Sequence, residues 1–365
     1  MSTITNTTNR AANPAAWRRA DIETNDRWVV LLDDADRENL ISVLRRGHVP
    51  DRITFDYRRS DFPFAERSIA RLKRALDEAQ HGLGLALIKG LPREGVTAQE
   101  FELLTWAIGL HLGVARPQDK ASRYINVVMN IGTDYRSATG RGYSSNAELD
   151  FHVDGADVVG LSCYNQAPIG GDSMCASSTA AYLQLRQERP DLADALQMPF
   201  PFGRQGEQAD GEEPFHMMPI VGLVGDAVFC LWVRNRLENA LKLPEAPQLT
   251  AAQREAVELL DQIVRRPDFM FSMRLEPGDL QLLSNHTVVH SRTEFQDDAD
   301  SDRKRMLFRL WLSTPDAPPL PAGWAPFYGS TVSGAVRGGI KGQAFDERRR
   351  TFDEVQGIEM GMRPA

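Results

Sequence analysis

The sequence predicts a mainly β protein with flanking helices, an α+β arrangement around a β-sandwich or jelly roll. Short apolar runs of strand length recur from Trp28 to Leu312. Turn-forming Gly, Pro and Asp residues bound them, and helical periodicity is confined to a few segments. A chain of 365 residues is long enough to bury one large core. The division it suggests is a mobile arm over 1–27, a single domain over 28–328 and a tail over 329–365.

Taken in order, Trp28-Val-Val-Leu-Leu32 reads as a strand closed by the turn signal Asp33-Asp34. Ile69, Leu72 and Leu76 recur at helical spacing between Phe64 and Gln80, and Gly82 stops that helix. Leu85 to Lys89 is a strand. Thr97-Ala-Gln-Glu100 is a capping box for a helix carrying Phe101, Leu104 and Ile108, and Thr250-Ala-Ala-Gln253 starts another carrying Val257, Leu260 and Ile263. Further strands are read at Tyr124–Met129, Val158–Tyr164, Asp226–Val233, Phe269–Leu275, Leu280–Leu283 and Arg305–Leu312. Two loose, glycine-containing stretches, about 118–148 and 203–216, are candidate lids.

Composition narrows the function classes. A net charge of -8 argues against nucleic acid or an anionic membrane as partner. Cys163, Cys175 and Cys230 form no CxxC pair, and three cysteines in so long a chain do not make a disulfide framework. The polar start offers no signal-peptide core, and no apolar run reaches the roughly 18 residues of a membrane span. A cytoplasmic location is the expectation.

The chemistry concentrates at Phe151-His152-Val153-Asp154. In a strand, residues i and i+2 leave one face, so His152 and Asp154 present an imidazole and a carboxylate together. A third arm has to come from afar, and His290 is the candidate. Two histidines and one carboxylate with open positions suit non-haem Fe(II). A lone histidine is more often a satisfied core or surface residue than a ligand. His48, His81 and His111 are read that way, and His216, in the loose segment after Gly203, as a surface residue with a substrate role as the alternative. His286 and His290 are spaced H-x3-H, but in extended chain i and i+4 lie about 13 Å apart at 3.3 Å per residue, too far to share an ion.

Five ordered motifs carry a resemblance: Gly84-Leu-Ala-Leu-Ile-Lys-Gly-Leu-Pro92, His152-x-Asp154, Pro168-Ile-Gly-Gly-Asp-Ser173, Leu275-Glu-Pro-Gly-Asp279 with Asn285 to His290, and Arg305-x3-Arg309. Together the chain resembles the TauD/TfdA group of Fe(II)/2-oxoglutarate oxygenases within the clavaminate-synthase-like superfamily. The resemblance implies a double-stranded β-helix with His152, Asp154 and His290 as iron ligands, and no ligand role for His286. It implies Fe(II), 2-oxoglutarate and O2 as cofactor and cosubstrates, with Arg305 gripping the far carboxylate of 2-oxoglutarate and Ser173 assisting. A guanidinium suits that task because it meets a carboxylate bidentately. Arg309, four residues on and on the same strand face, faces cosubstrate or substrate, and Phe151, Tyr143 and Arg234 are candidate substrate contacts. The expected reaction is hydroxylation of a small polar molecule. Desaturation or ring closure is the enzymatic rival, and a non-catalytic metal- or ligand-binding jelly roll the rival of another class. A homo-oligomer is compatible with all three.

Overall fold

Two sheets of unequal size organise the chain. In the computed structural model, which describes residues 13–133, 142–208, 211–342 and 344–364, the larger sheet runs Val29–Leu31, Leu85–Lys89, Leu280–Ser284, Val158–Asn165, Met306–Ser313, Val114–Ala115. Ile125–Val128 also pairs with Met306–Ser313. Its first pair is parallel and the others antiparallel. The smaller sheet, antiparallel throughout, runs Phe271–Met273, Ser173–Ser177, Val288–Arg292.

The two-residue period of a strand explains how these sheets stack. Ala86, Ile88, Leu280, Leu282, Phe308 and Leu310 face the helices Glu66–His81 and Ala98–Leu112, in one core. Their alternates Leu85, Leu87, Leu283, Leu307 and Trp311 face inward and meet Cys175 and Val288 of the smaller sheet. Met174, Ala176 and Val289 then face the helices Ser178–Glu188 and Ala251–Val264. Strands Leu280–Ser284, Val288–Arg292 and Ser173–Ser177 are therefore buried at every position, which is why they read as apolar runs without alternation. The turn Asn285–Thr287 carries the chain from one sheet to the other.

The result is a mixed α/β protein with a large central sheet, more helical than the sequence predicts. Asp33, read as a turn, caps the helix Asp34–Gly47: its side chain accepts from the Asp36 N–H at 3.1 Å. Asp favours turns and N-caps for the same reason, a short acceptor that satisfies nearby backbone donors. Both threonine caps form as expected, at Thr97 and Thr250, each contributing about 1 kcal/mol.

Both chain ends are packed where they are described. Residues 1–12 of the expected arm lie outside the described residues. In the remainder Trp17 is buried, its indole N–H donating to the Leu83 carbonyl at 2.6 Å, and Arg19–Glu23 is helical. One aromatic ring burying about 150–250 Å² anchors what polar composition marks as an arm. In the tail, Phe352 of the helix Glu347–Glu359 packs on Trp106 and Tyr124, with ring centroids at 5.4 and 5.1 Å. Of the two candidate lids, residues 134–141 and 209–210 lie outside the described residues. The rest of 118–148 includes the sheet strand Ile125–Val128, and 204–214 connects the hairpin Pro199–Gly203 to Phe215–Pro219.

Candidate active site

His152 and Asp154 sit at the edge of regular structure. Phe151 to Asp154 forms no full strand; His152 makes an isolated antiparallel bridge to both His290 and Val233. Each of His152 and His290 donates its backbone N–H to the other's carbonyl at 2.9 Å, so the two imidazoles leave neighbouring backbones. Their ring centroids are 4.4 Å apart. The alternation still holds where it matters, because His152 and Asp154 line the cleft while Phe151 is fully buried in the core. Phe151 is thereby corrected from substrate contact to core residue, its ring lying under the Arg265 guanidinium at 5.3 Å.

One ligand atom from each of His152, Asp154 and His290 lies within 4.8 Å of the others. His290 Nε2 is 3.8 Å from Asp154 Oδ2. His152 Nδ1 stands 2.8 Å from the Asp150 carbonyl; a carbonyl only accepts, so Nδ1 carries a proton and Nε2 is the nitrogen left to meet an ion. Burial first, then the neighbouring His152, pushes the His290 imidazole down to about 3, leaving it neutral. Burial raises the Asp154 carboxyl, but Arg309 and the two imidazoles outweigh it and hold the group below the usual carboxylate value. Asp154 Oδ2 is buried and without a hydrogen bond to a described residue. Two imidazoles and a carboxylate oxygen without a described hydrogen-bond partner are the donor set that non-haem Fe(II) takes.

Arg305 lines the same cleft and is almost fully buried. Its Nε donates to Gln166 Oε1 at 3.0 Å and Nη2 to the Gly171 carbonyl at 3.3 Å, while Nη1 has no partner among the described residues. Burial lowers the guanidinium to about 10, still charged at neutral pH. A buried cation without a counter-ion costs several kcal/mol, so this one awaits an anion. The Gly170-Gly171 turn makes room for it. Gly171 has φ +75°, and a Cβ there would sit 2.7 Å from Arg305 Nε. Ser173 also lines the cleft, its hydroxyl donating to Gln281 Oε1 at 2.9 Å. The fit to a dicarboxylate spanning Arg305 and the triad is good.

Arg309 faces the triad. Its Nη1 is 3.2 Å from Asp154 Oδ1 and its Nε donates to Gln118 Oε1 at 2.8 Å. Gln118 is a site residue that sequence reasoning missed; nothing in its loop marks it. Tyr143 lines the cleft with its ring 5.3 Å from the Arg309 guanidinium. Arg234 is at the cleft wall, paired with Glu258 at 2.9 Å and Glu238 at 3.3 Å. His286 points away, to Asp157 Oδ1 at 2.9 Å. His290 stands beyond the turn that changes sheets, so the extended-chain spacing of the two histidines gives way to a turn that separates them even further in role. Asn285 in that turn accepts from the Asp154 N–H at 2.9 Å and donates to the Ala156 carbonyl at 3.0 Å, tying the metal segment to the strand of His290.

Comparison with known proteins agrees with this chemistry. Residues 51–311 match the model of the family described as taurine catabolism dioxygenase TauD, TfdA. FR-33289 synthase of Streptomyces rubellomurinus is 30% identical over 82% of this chain and 89% of its own. Among solved structures, asparagine oxygenase with Fe(II), 3-hydroxyasparagine and succinate superposes with a TM-score of 0.56 at 18% identity, covering 79% of this chain and 94% of that one. The non-heme iron oxygenase OrfP with Fe and alpha-ketoglutaric acid gives 0.57 at 17% identity over 78% and 94%. The fold and site define a 2-oxoglutarate-dependent non-haem iron oxygenase. The chain belongs to the TauD/TfdA family. Among the described residues no helix is long and apolar enough to cross a membrane.

Proposed function

We propose that the protein hydroxylates an unactivated C–H bond of a small polar substrate, with 2-oxoglutarate converted to succinate and CO2. The observation that carries this reading is the convergence of His152, Asp154 and His290 on a cleft that also holds a buried, unpaired Arg305 nitrogen. The two sheets are then the halves of a double-stranded β-helix, and residues 28–328 its single oxygenase domain. Iron with 2-oxoglutarate and O2 supplies the oxidant. The protein supplies placement: His152, Asp154 and His290 hold the metal, and Arg305 with Ser173 holds the far carboxylate. Arg309 keeps Asp154 ionised and fixes its Oδ1, so Oδ2 faces the histidines. Val128, Leu161, Leu275, Leu307 and Trp311 on the cleft wall exclude water from the reacting centre. Hydroxylation is supported by the structurally similar asparagine oxygenase, solved with a hydroxylated amino acid and succinate. The retained carboxylate of Asp154 favours oxygenation over halogenation.

A screen of small polar acids for succinate release by the Fe(II)-loaded protein, with mass analysis under 18O2, tests this. One label atom in the product is expected. Loss of two hydrogens without label would replace hydroxylation by desaturation or ring closure, and an iron-loaded protein without succinate release in any condition would leave a binding protein.

A further inference from the structure

The cleft does not end at the triad. A second cavity adjoins it, and the two share Arg236, Phe327 and Ile340 in their walls. Val233, the bridge partner of His152, stands three residues before Arg236 at the head of the helix Arg234–Ala240. Phe327 spans the junction. On one side it approaches Gly155, the residue after Asp154, where an added Cβ would lie 3.3 Å from its Cζ. On the other it meets His216 edge-on, with centroids 5.8 Å apart.

The second cavity is built differently from the apolar first one. Arg204, Glu207, Glu212, His216 and Arg236 line it. His216, read from sequence as a surface residue, is only 8% exposed and makes no hydrogen bond to a described residue. The Arg204 Nε is buried and likewise unpartnered, although Nη1 pairs with Glu212 at 2.9 Å. Arg236 pairs with Glu207 at 2.9 Å and donates to the Gly203 carbonyl at 3.1 Å. A buried polar group left unsatisfied costs about 1–3 kcal/mol, so the Arg204 Nε on this wall is a deficit that a ligand would repair, with the unbonded His216 ring beside it. Burial, then Arg204 and Arg236, push the His216 imidazole down to about 3. The histidine is therefore a neutral hydrogen-bond donor, set among two arginines that pair with Glu212 and Glu207 and beside Lys341, which adds a further positive charge to the cavity wall.

We propose that this second cavity is a distal substrate subsite for an oxyanion (phosphate, phosphonate, sulfonate or carboxylate), received by Arg204 Nε and the His216 N–H with Arg236 at the junction. The substrate is then elongated, its oxidised C–H at the triad and its anionic end beyond Phe327. This rests on the oxygenase reading of the first cavity.

The test uses inorganic phosphate as probe, titrated by calorimetry into the protein loaded anaerobically with Fe(II) and 2-oxoglutarate, so that Arg305 is already occupied. Phosphate is expected to bind wild type, and Arg204→Gln and His216→Phe each to weaken it at least tenfold. Thermal melting and the visible absorption of the loaded iron site should stay unchanged, which separates loss of the subsite from loss of fold. Absent binding to wild type, equal binding by both variants, or loss of binding in Arg309→Gln alone would overturn the proposal. If loading itself fails, the oxygenase reading fails, and the same titration on the metal-free protein decides the subsite.

Discussion

Two histidine, aspartate and arginine constellations, whose histidines and aspartates lie within four residues of each other in sequence, do opposite things. One is His290, Asp154 and Arg309 on the cleft; the other is His286, Asp157 and Arg337, sealed behind it. Asp157 Oδ1 accepts from His286 Nε2 at 2.9 Å and Arg337 Nε at 2.8 Å, and its Oδ2 accepts from Ser313 Oγ and the Thr314 N–H, both at 3.1 Å. Both carboxylate oxygens are thus occupied, the single Ser313 proton being shared with the Ala335 carbonyl at 3.0 Å. The remaining Arg337 nitrogens donate to the carbonyls of Val332 at 3.1 Å and Pro318 at 2.8 Å. Asp154, in contrast, accepts from Arg309 at 3.2 Å and leaves Oδ2 bare. Both carboxyls are held below their usual range, so charge state does not separate them. Saturation does: a filled constellation is structure, and an underfilled one is a site.

The largest expected effects test that contrast directly. Asp154→Ala and His290→Ala should each weaken Fe(II) by more than the roughly 10- to 100-fold that loss of an outer-shell partner costs, and abolish turnover, while the metal-free melting temperature changes little. Asp157→Ala should do the reverse, costing about 3–5 kcal/mol of stability because Arg337 is left buried and unpaired, with iron affinity retained in the folded fraction. Denaturant melts and metal titrations on the same preparations decide; iron loss from Asp157→Ala without destabilisation would erase the distinction. The sealed cluster also predicts an acid limb. Burial first holds the His286 pKa below its usual 6.5, despite the opposing pull of Asp157. A depressed folded pKa contributes stability above 6.5 that is lost as pH falls below it. His286→Gln should flatten stability across that window.

The contrast also shows what a sequence can and cannot tell. Helices Glu66–His81, Ala98–Leu112 and Ala251–Val264 were legible because long periodic patterns and capping boxes are local signals. His152, Asp154 and His290 were legible as chemistry because i, i+2 spacing constrains direction even where only a bridge forms. Helices Asp34–Gly47 and Glu347–Glu359 were missed because polar or small residues, Asp36 in the first and Gln356 and Gly357 in the second, sit among their few buried positions and interrupt the apolar pattern. Phe151 was misread because which face of a short segment is core depends on partners far away. Gln118, Asn285, Asp157 and Arg337 could not be assigned at all: each takes its role from long-range hydrogen bonds that leave no periodic trace.

A third, smaller effect concerns Arg305. Removing one partner of a buried, hydrogen-bonded charge pair costs about 2–5 kcal/mol, so Arg305→Ala should raise the dissociation constant for 2-oxoglutarate by at least about thirtyfold while Fe(II) still binds. Arg305→Lys should recover little, since an ammonium cannot reproduce the fork held by Gln166 and Gly171. Anaerobic titration of 2-oxoglutarate into the iron-loaded variants reads this; unchanged affinity in Arg305→Ala would mean that the bare Nη1 serves another anion.

The smallest effect is expected at Arg234, the cleft arginine whose charge is already spent. Its partners Glu238, Glu258 and Asp261 lie at 3.3, 2.9 and 3.9 Å, on helices that face solvent. Exposed pairs of this kind contribute about 0.2–1 kcal/mol, so Arg234→Gln should lower stability by no more than that and change KM for a substrate by less than about threefold. Arg309→Gln, which removes a guanidinium held on Asp154, should instead lower kcat and weaken iron. Steady-state kinetics on the two variants side by side make the comparison: a tenfold rise in KM for Arg234→Gln with kcat unchanged would show that the substrate draws this side chain out of its ion network, and that pairing in the free protein is a poor guide to which cleft arginine binds.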